Sequence, residues 1–279
     1  MATLHFSDRD FKRVCTLMYA AAGLSFNDSK KSLIQSRLSL RIQRLGIGSF
    51  SDYIAILEDE SQAAEFQMAV DLLTTNETYF FREPKHYDVL EQELSNRKTK
   101  TKTNTNTNTP IAVWSAASSF GDEAYSTAML LSDMQMQGRI GPDWSILATD
   151  ISHRVLLSAK EAVYPQDRLR AVSPERLRRY CLRGEGASDG QVMLHDKIRS
   201  RVQFGRLNLC QPFDGLGMFD VIFLRNVLIY FDAPTKIAVV DRVLACLKPG
   251  GLFFLGTAEG RVNCLTPLQA IQPGAFCKP

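Results

Sequence analysis

The stretch I-A-V-W-S-A-A-S-S-F-G-D-E-A-Y-S-T-A-M-L-L, Ile111 to Leu131, decides the fold. Its opening, Ile111–Trp114, is a short apolar run of the kind that forms a buried parallel strand. Ser115 to Gly121 follow as a turn of mostly small side chains that leaves the backbone open to approach. Asp122, Glu123, Tyr125, Ala128, Met129 and Leu131 then carry a helical pattern. Strand, small-residue turn and helix together predict a nucleotide-type pocket, because backbone N–H groups at the helix start can face a ligand. The acidic pair Asp122-Glu123 repels a pyrophosphate, so the ligand it favours is cationic or polar. Of a dinucleotide glycine fingerprint only Gly121 is present, and the alternative is a tight strand–helix connection with no ligand.

Downstream, W-S-I-L-A-T-D (Trp144–Asp150) is an apolar run ending in an acid, and Val155 to Ala162 is helical. F-D-V-I-F-L (Phe219–Leu224) predicts a third buried strand and Lys236 to Leu247 a helix. Leu252–Gly256 predicts a fourth strand after the turn Lys248-Pro249-Gly250-Gly251. This alternation argues for a parallel α/β sheet. The interval Pro165–Val202, with R-G-E-G-A-S-D-G at Arg183–Gly190, interrupts it and predicts a small edge insertion, a hairpin in form. Ligands on open parallel sheets bind at the carboxyl ends of the strands. Gly121 and Glu123 follow the first such end, Asp150 forms the second, and Arg225-Asn226 follow the third, with Tyr230 just beyond. An acid like Asp150 at a strand end accepts ribose hydroxyls; a plain loop acid is the bland alternative. No Ser-His-Asp order, P-loop or metal motif competes.

Upstream, the chain reads as helices. Ser7 and Asp10 form a capping-box pattern before Phe11, Val14, Met18 and Ala21, and Gly23 stops that helix. Asp28 is positioned to cap the next, whose stripe is Ile34, Leu38, Ile42 and Leu45, with Gly46 at its end. Arg37, Arg41 and Arg44 share one face of it, with Lys30 further back and no acid interleaved. Tyr53, Ile54 and Leu57 suggest a third helix, Phe66 to Leu73 a fourth. The first 50 residues hold eight Lys and Arg against three Asp. T-T-N-E-T-Y-F-F-R (Thr74–Arg82) has neither period, and Pro84 closes it. Asn96 to Pro110 is a polar Lys-Thr-Asn tract without an apolar residue, which predicts a flexible loop and the boundary between two domains.

With 279 residues and 45% hydrophobic content the chain can bury a large core, and a formal charge of +3 gives no global case for nucleic acid. Six scattered cysteines without C-x-x-C spacing and only four histidines argue against zinc and for reduced thiols in a cytosolic protein. Neither a signal peptide nor a membrane-spanning run is expected.

The combination of T-T-N-E-T-Y-F-F-R, W-S-A-A-S-S-F-G-D-E-A-Y-S, A-T-D-I and R-N-V-L-I-Y-F-D resembles the CheR-type chemotaxis receptor methyltransferases, protein-glutamate O-methyltransferases that use S-adenosylmethionine. The resemblance runs from about Phe6 to the C-terminus, with the motifs in the family's order. It implies an α/β fold, a Rossmann-like class I methyltransferase domain with a small antiparallel β subdomain, preceded by an all-α N-terminal domain. The implied division is 1–75 helical and substrate-recognising, 76–110 linker and low-complexity loop, and 111–279 methyltransferase, with the β subdomain at about 165–202.

The resemblance also implies roles for residues. S-Adenosylmethionine is expected on Asn76, Thr78, Arg82, Gly121, Glu123, Asp150, Asn208, Leu209, Arg225 and Asn226, leaving S-adenosylhomocysteine as product. Arg82 and Tyr230 are the candidates for orienting the acceptor carboxylate. Arg37, Arg41 and Arg44 are expected to meet the cytoplasmic domains of chemoreceptors, the alternative being a solvated charged face. Gly184, Gly186 and Gly190, with Arg183 and Arg179, are expected either to dock a peptide from the receptor C-terminus or to form a mobile turn that only finishes the subdomain. The protein is expected to be a cytoplasmic monomer, not membrane-embedded and not a nucleic-acid binder. The family's turn usually reads S-T-G-E-E-P-Y; here Phe120, Asp122 and Ala124 depart from it, and Phe120 is expected to narrow the methionine side of the pocket. That departure keeps open a regulatory module with the methyltransferase fold and weak catalysis. A small-molecule methyltransferase is the third reading, although it would not need the basic helix.

Overall fold

The computed structural model describes residues 4–100, 109–213, 215–260 and 264–279. Among the described residues the first 75 positions form helices α1 (Asp8–Ala22), α2 (Lys31–Arg44), α3 (Phe50–Glu58) and α4 (Ala63–Leu73). The capping box forms: Ser7 Oγ accepts the Asp10 N–H at 3.1 Å and the Asp10 carboxylate accepts the Ser7 N–H at 3.2 Å. Gly23 takes the left-handed conformation at φ 67° and ends α1. Asp28 does not cap α2. A 3-10 turn over Asp28–Lys30 intervenes, so α2 begins at Lys31 without a side-chain cap. The stripes of α1 to α3, among them Val14, Met18, Ile34, Leu38, Tyr53 and Ile54, close into one apolar core.

Helix α5 (Pro84–Lys100) corrects the start of the expected loop, because it continues through Asn96. Its late turns are anchored: the Arg97 guanidinium donates to the Gly250 carbonyl at 2.6 Å and stands 3.6 Å from Asp220. The rest of the Lys-Thr-Asn tract, 101–108, lies outside the described residues. Just before α5, Phe80 is fully buried and meets Tyr164 edge-on at 5.0 Å, and Phe81 packs on Tyr87. Tyr79, by contrast, is 48% exposed.

The alternating region runs β1 (Ile111–Ala116), α6 (Asp122–Met136), β2 (Trp144–Asp150) and α7 (His153–Glu161). Then come β3 (Val163–Pro165), α8 (Pro174–Tyr180), β4 (Cys181–Arg183), β5 (Gln191–Leu194), α9 (Asp196–Arg199) and β6 (Val202–Arg206). It ends with β7 (Phe219–Leu224), α10 (Ala233–Ala245), β8 (Leu247–Leu255), β9 (Gln269–Gln272) and β10 (Ala275–Cys277). Among the described residues seven strands join in the order β6-β2-β1-β7-β8-β10-β9. The first five run parallel, and β10 and β9 are added antiparallel. The chain moves outward from β1 to β6, then returns to place β7 on the other side of β1. That reversal creates a crevice outside the carboxyl ends of β1 and β7.

Side chains on β1 alternate between the two faces. Val113 joins α5, α6 and the inserted strands in one core, while Trp114 joins α10 in the other. The Trp114 indole N–H donates to Thr149 Oγ1 at 2.9 Å, so its burial leaves no orphaned donor. The insertion is more than a hairpin: β3 adds to the β4–β5 pair to give a second, three-stranded antiparallel sheet in the order β3-β5-β4. Strands β6, β9 and β10 were not legible as separate elements, since none carries a run of more than three buried side chains.

Candidate functional site

The carboxyl ends of β1, β2, β6 and β7, the segment 73–82 and the C-terminal end of α1 border one cleft of about 990 Å³, open mouth included. Its wall contains Asn76, Thr78, Arg82, Glu123, Asp150, Asn208, Leu209, Arg225, Asn226 and Tyr230 together. Gly121 is not on the wall. It adopts φ 85° at the start of α6, and a Cβ there would meet Ala159 and Phe204 at 3.1 Å. Its role is to let the turn pack against α7 and β6.

Asp150 shapes the turn as well as the wall. One carboxylate oxygen accepts the Ser119 N–H at 2.8 Å and the other the Ser152 N–H at 2.9 Å. Burial raises its carboxyl above the ordinary range, against the pull of these donors. Ala117 and Ser119 sit at φ 61° and 51°, so small side chains occupy left-handed positions that glycine would fill more cheaply. Ser118 Oγ, on the cleft wall, is buried without a hydrogen-bond partner.

Glu123 is reached by two donors: Ser115 Oγ at 2.7 Å and the Arg225 guanidinium at 3.2 Å. Burial raises its carboxyl despite both. The Arg225 side chain is 2% exposed, so it is a held group rather than a mobile one. It also donates to the Arg82 carbonyl and stands 3.2 Å from Glu83. The Arg82 side chain is freer. It donates to the Glu77 carbonyl at 3.0 Å, lies over the Tyr79 ring, and pairs with no carboxylate among the described residues. Burial raises the Tyr230 hydroxyl, which keeps it a neutral donor.

Two residues expected at the pocket face elsewhere. Phe120 is not on the wall but stacks between Arg154 and Arg168, whose guanidinium carbons are 5.6 and 4.5 Å from its ring. Asp122 is fully buried against Arg168, with contacts of 2.7 and 3.0 Å. The acidic pair is therefore split, and only Glu123 faces the cleft. The basic helix is also partly absorbed by structure. Arg37 donates to the Leu72, Leu73 and Thr74 carbonyls at 3.1–3.3 Å, capping α4. Arg41 grips Glu65 at 3.0 and 2.5 Å, so an acid does neutralise it, brought from α4 rather than from its own helix. Arg44 and Lys30 remain exposed. In the inserted sheet Gly184 is required, since a Cβ there would meet the Ser188 carbonyl oxygen at 2.0 Å, and Gly186 and Gly190 have positive φ. Arg183 is exposed, while Arg179 is taken by Asp133 at 2.6 Å.

Glu83 and Glu259 escaped the sequence reading. Glu259 accepts the N–H groups of Asn226, Leu228 and Gly256 at 2.7–2.9 Å and so holds the loop after β7. The carboxyl-end rule, applied to β8, was the signal that would have found it.

Comparison with known proteins agrees with this fold. A family model described as CheR methyltransferase, all-alpha domain, matches residues 9–74, and one described as CheR methyltransferase, SAM binding domain, matches residues 76–270. The chemotaxis protein methyltransferase of Salmonella typhimurium is 37% identical over 261 residues, 93% of this chain and 86% of its own. Chemotaxis protein methyltransferase 1 of Vibrio cholerae is 35% identical over 283 residues, 100% of this chain and 99% of its own. Among the described residues no helix is long and apolar enough to cross a membrane.

Asp150→Ala removes the acceptor of two buried N–H groups. It should cost about 1–3 kcal/mol of unfolding free energy in urea, reading as a shifted midpoint. An unchanged midpoint would mean that the turn holds its shape without Asp150.

Proposed function

Because the chain belongs to the CheR methyltransferase family, a S-adenosylmethionine-dependent methyltransferase fold used in chemotaxis, we propose that it methylates glutamate side-chain carboxylates of chemoreceptors. The observation that carries this reading is one cleft bordered jointly by Glu123, Asp150 and the guanidinium of Arg82, which pairs with no carboxylate among the described residues. Two acids suit a cationic cofactor, an orphaned Ser118 hydroxyl suits a polar one, and Leu73, Leu209 and Phe231 give it apolar walls. When bound, S-adenosylmethionine supplies an electrophilic methyl group on a sulfonium centre and leaves as S-adenosylhomocysteine.

The chain's own task is alignment. Asp150 offers its remaining lone pairs to ribose hydroxyls, and Glu123 places negative charge near the cationic end. Asn76, Thr78 and Arg82 cover the linker side, while Gly121 keeps the turn close-packed beneath. Asn208-Leu209 and Arg225-Asn226 form the remaining walls. A glutamate acceptor is already ionised at neutral pH, so no general base is needed. Arg82 stays protonated and orients that carboxylate by charge-assisted hydrogen bonds, with the Tyr230 hydroxyl as second donor. Excluding water while holding oxygen, methyl and sulfur in line accounts for the rate.

With labelled S-adenosylmethionine and receptor-bearing membranes, label should enter the receptor and leave as methanol in mild alkali, as a carboxyl ester does. Arg82→Ala should lower kcat about ten- to hundredfold, the loss of one or two charged hydrogen bonds. Alkali-stable label would contradict the glutamate reading, and full turnover by Arg82→Ala would remove its orienting role.

The pH dependence has a definite sign. Burial raises the carboxyls of Glu123 and Asp150, so they take up protons earlier than exposed acids as pH falls. The cofactor needs both ionised. Affinity should decline as pH falls while still above the range in which ordinary carboxylates titrate. Calorimetry showing a flat profile to about pH 4 would contradict this.

Receptor contact draws on the exposed charge left on α2. Arg44 and Lys30 steer an acidic methylation helix in the cytoplasm, with Arg37 and Arg41 behind them holding α4. The β4 edge, paired only with β5 among the described residues, accepts a receptor C-terminal peptide as an added strand, with Arg183 near its carboxylate. Arg44→Glu should raise the KM for receptor several-fold without moving cofactor affinity. Receptor C-terminal peptides should bind in a fluorescence titration. No change in KM, or no binding at high micromolar peptide, would remove the respective contact.

A further inference from the structure

We propose that Glu83, which is not part of the cleft wall, is a positioning residue that sets the charge of the cofactor site by sharing the Arg225 guanidinium with Glu123. The inference rests on the cofactor reading above.

Arg225 stands between two carboxylates. One terminal nitrogen is 3.2 Å from Glu123 Oε2 and the other 3.2 Å from Glu83 Oε2, and the side chain is 2% exposed. Aromatic faces of Tyr87 and Phe223 lie 5.8 and 5.9 Å from the guanidinium carbon, and its Nε has no partner. With Arg225 itself almost wholly out of solvent, these neighbours decide how much of its charge each acid sees. Glu83 is fixed independently of Arg225. Its Oε1 accepts the Thr257 N–H at 3.2 Å and hydroxyl at 3.1 Å. The buried His86 ring stands 3.2 Å from Oε2, and burial keeps it neutral. Burial works against ionised Glu83, yet Arg225 and the Thr257 donors bring its carboxyl below the ordinary range, so it is a full anion.

Two anions and one cation leave one net negative charge. Without the Glu83 charge, Arg225 would neutralise Glu123 alone, and the cleft would face the cofactor with a neutral pair. The distinction matters chemically, because S-adenosylmethionine carries a sulfonium charge and S-adenosylhomocysteine carries a neutral thioether. Their amino-acid ends are the same, so charge felt there weakens both alike, and only the sulfonium part distinguishes them. Glu83 thus favours substrate over product, without touching either.

The test is the ratio of the two affinities, measured by calorimetry on the full chain. Glu83→Gln keeps the shape and an oxygen acceptor for Thr257. It should weaken S-adenosylmethionine about tenfold and S-adenosylhomocysteine by less than about threefold, the signature of a lost charge in a dry site. Thr257→Val loosens Glu83 but keeps its charge, and should leave the ratio unchanged. A purely structural Glu83 would weaken both ligands alike, and that result, or no change in either, would overturn the proposal. Should Glu83→Gln fail to fold, Glu83→Asp carries the test. It keeps the charge but draws it back from Arg225, so the ratio must fall while S-adenosylhomocysteine affinity holds within about threefold, and an unchanged ratio or an equal loss for both ligands would overturn the proposal. A wild-type chain that binds neither ligand would instead remove the cofactor reading itself.

Discussion

A guanidinium that is 2% exposed must be neutralised where it lies, and Arg225 meets that demand with two separate segments. It reaches Glu123 at the start of α6, and Glu83 and the Arg82 carbonyl in the linker. Breaking a buried ion pair costs about 3–5 kcal/mol, so the linker is bound to the sheet as firmly as a core element. Phe80 and Phe81 reinforce this from the apolar side. With the linker fixed, the all-α region can close the cleft: Asn208 Nδ2 donates to the Ala21 carbonyl at 2.6 Å, and the Ser25 N–H to the Tyr230 carbonyl at 2.9 Å.

Backbone strain gathers at the same place. Among the described residues, the non-glycine residues with positive φ are Phe81, Glu83, Ala117, Ser119, Asn226 and Ala162. All but Ala162 lie on or beside the cleft. Such positions cost about 1–3 kcal/mol each and persist only where surrounding contacts over-determine them. Here the contacts are named: Ser126 Oγ receives the Phe81 N–H at 2.9 Å, Asp150 receives that of Ser119, and Glu259 that of Asn226. The cleft is therefore shaped before any ligand arrives, which suits a reaction whose main demand is alignment.

The sheet was legible because buried parallel strands announce themselves as apolar runs, and β1, β2 and β7 each do. Asp150, Glu123 and Arg225 were legible by position, since each stands at or just past a strand end. What was not legible depends on contacts between distant segments. Nothing in the α2 sequence says that Arg41 meets Glu65, 24 residues on, or that Arg37 caps α4. Phe120 reads as a pocket residue from its place in the turn, yet the left-handed residues on either side swing it towards Arg154 and Arg168. Strands β9 and β10 are short, β9 largely exposed and β10 buried only against its neighbours, and they pair antiparallel only because β8 offers an edge. Glu83 looked like an ordinary charged residue before a helix, because its partner Arg225 is 142 positions away.

The account's central claim is the placement of the cofactor between the strand ends and the linker. A crystal structure of the chain with S-adenosylhomocysteine tests it most directly. The account predicts the ribose hydroxyls on Asp150, the amino group beside Glu123, and residues 76–82 closing over the ligand. Product bound elsewhere, or bound in this cleft with the ribose away from Asp150, would contradict it.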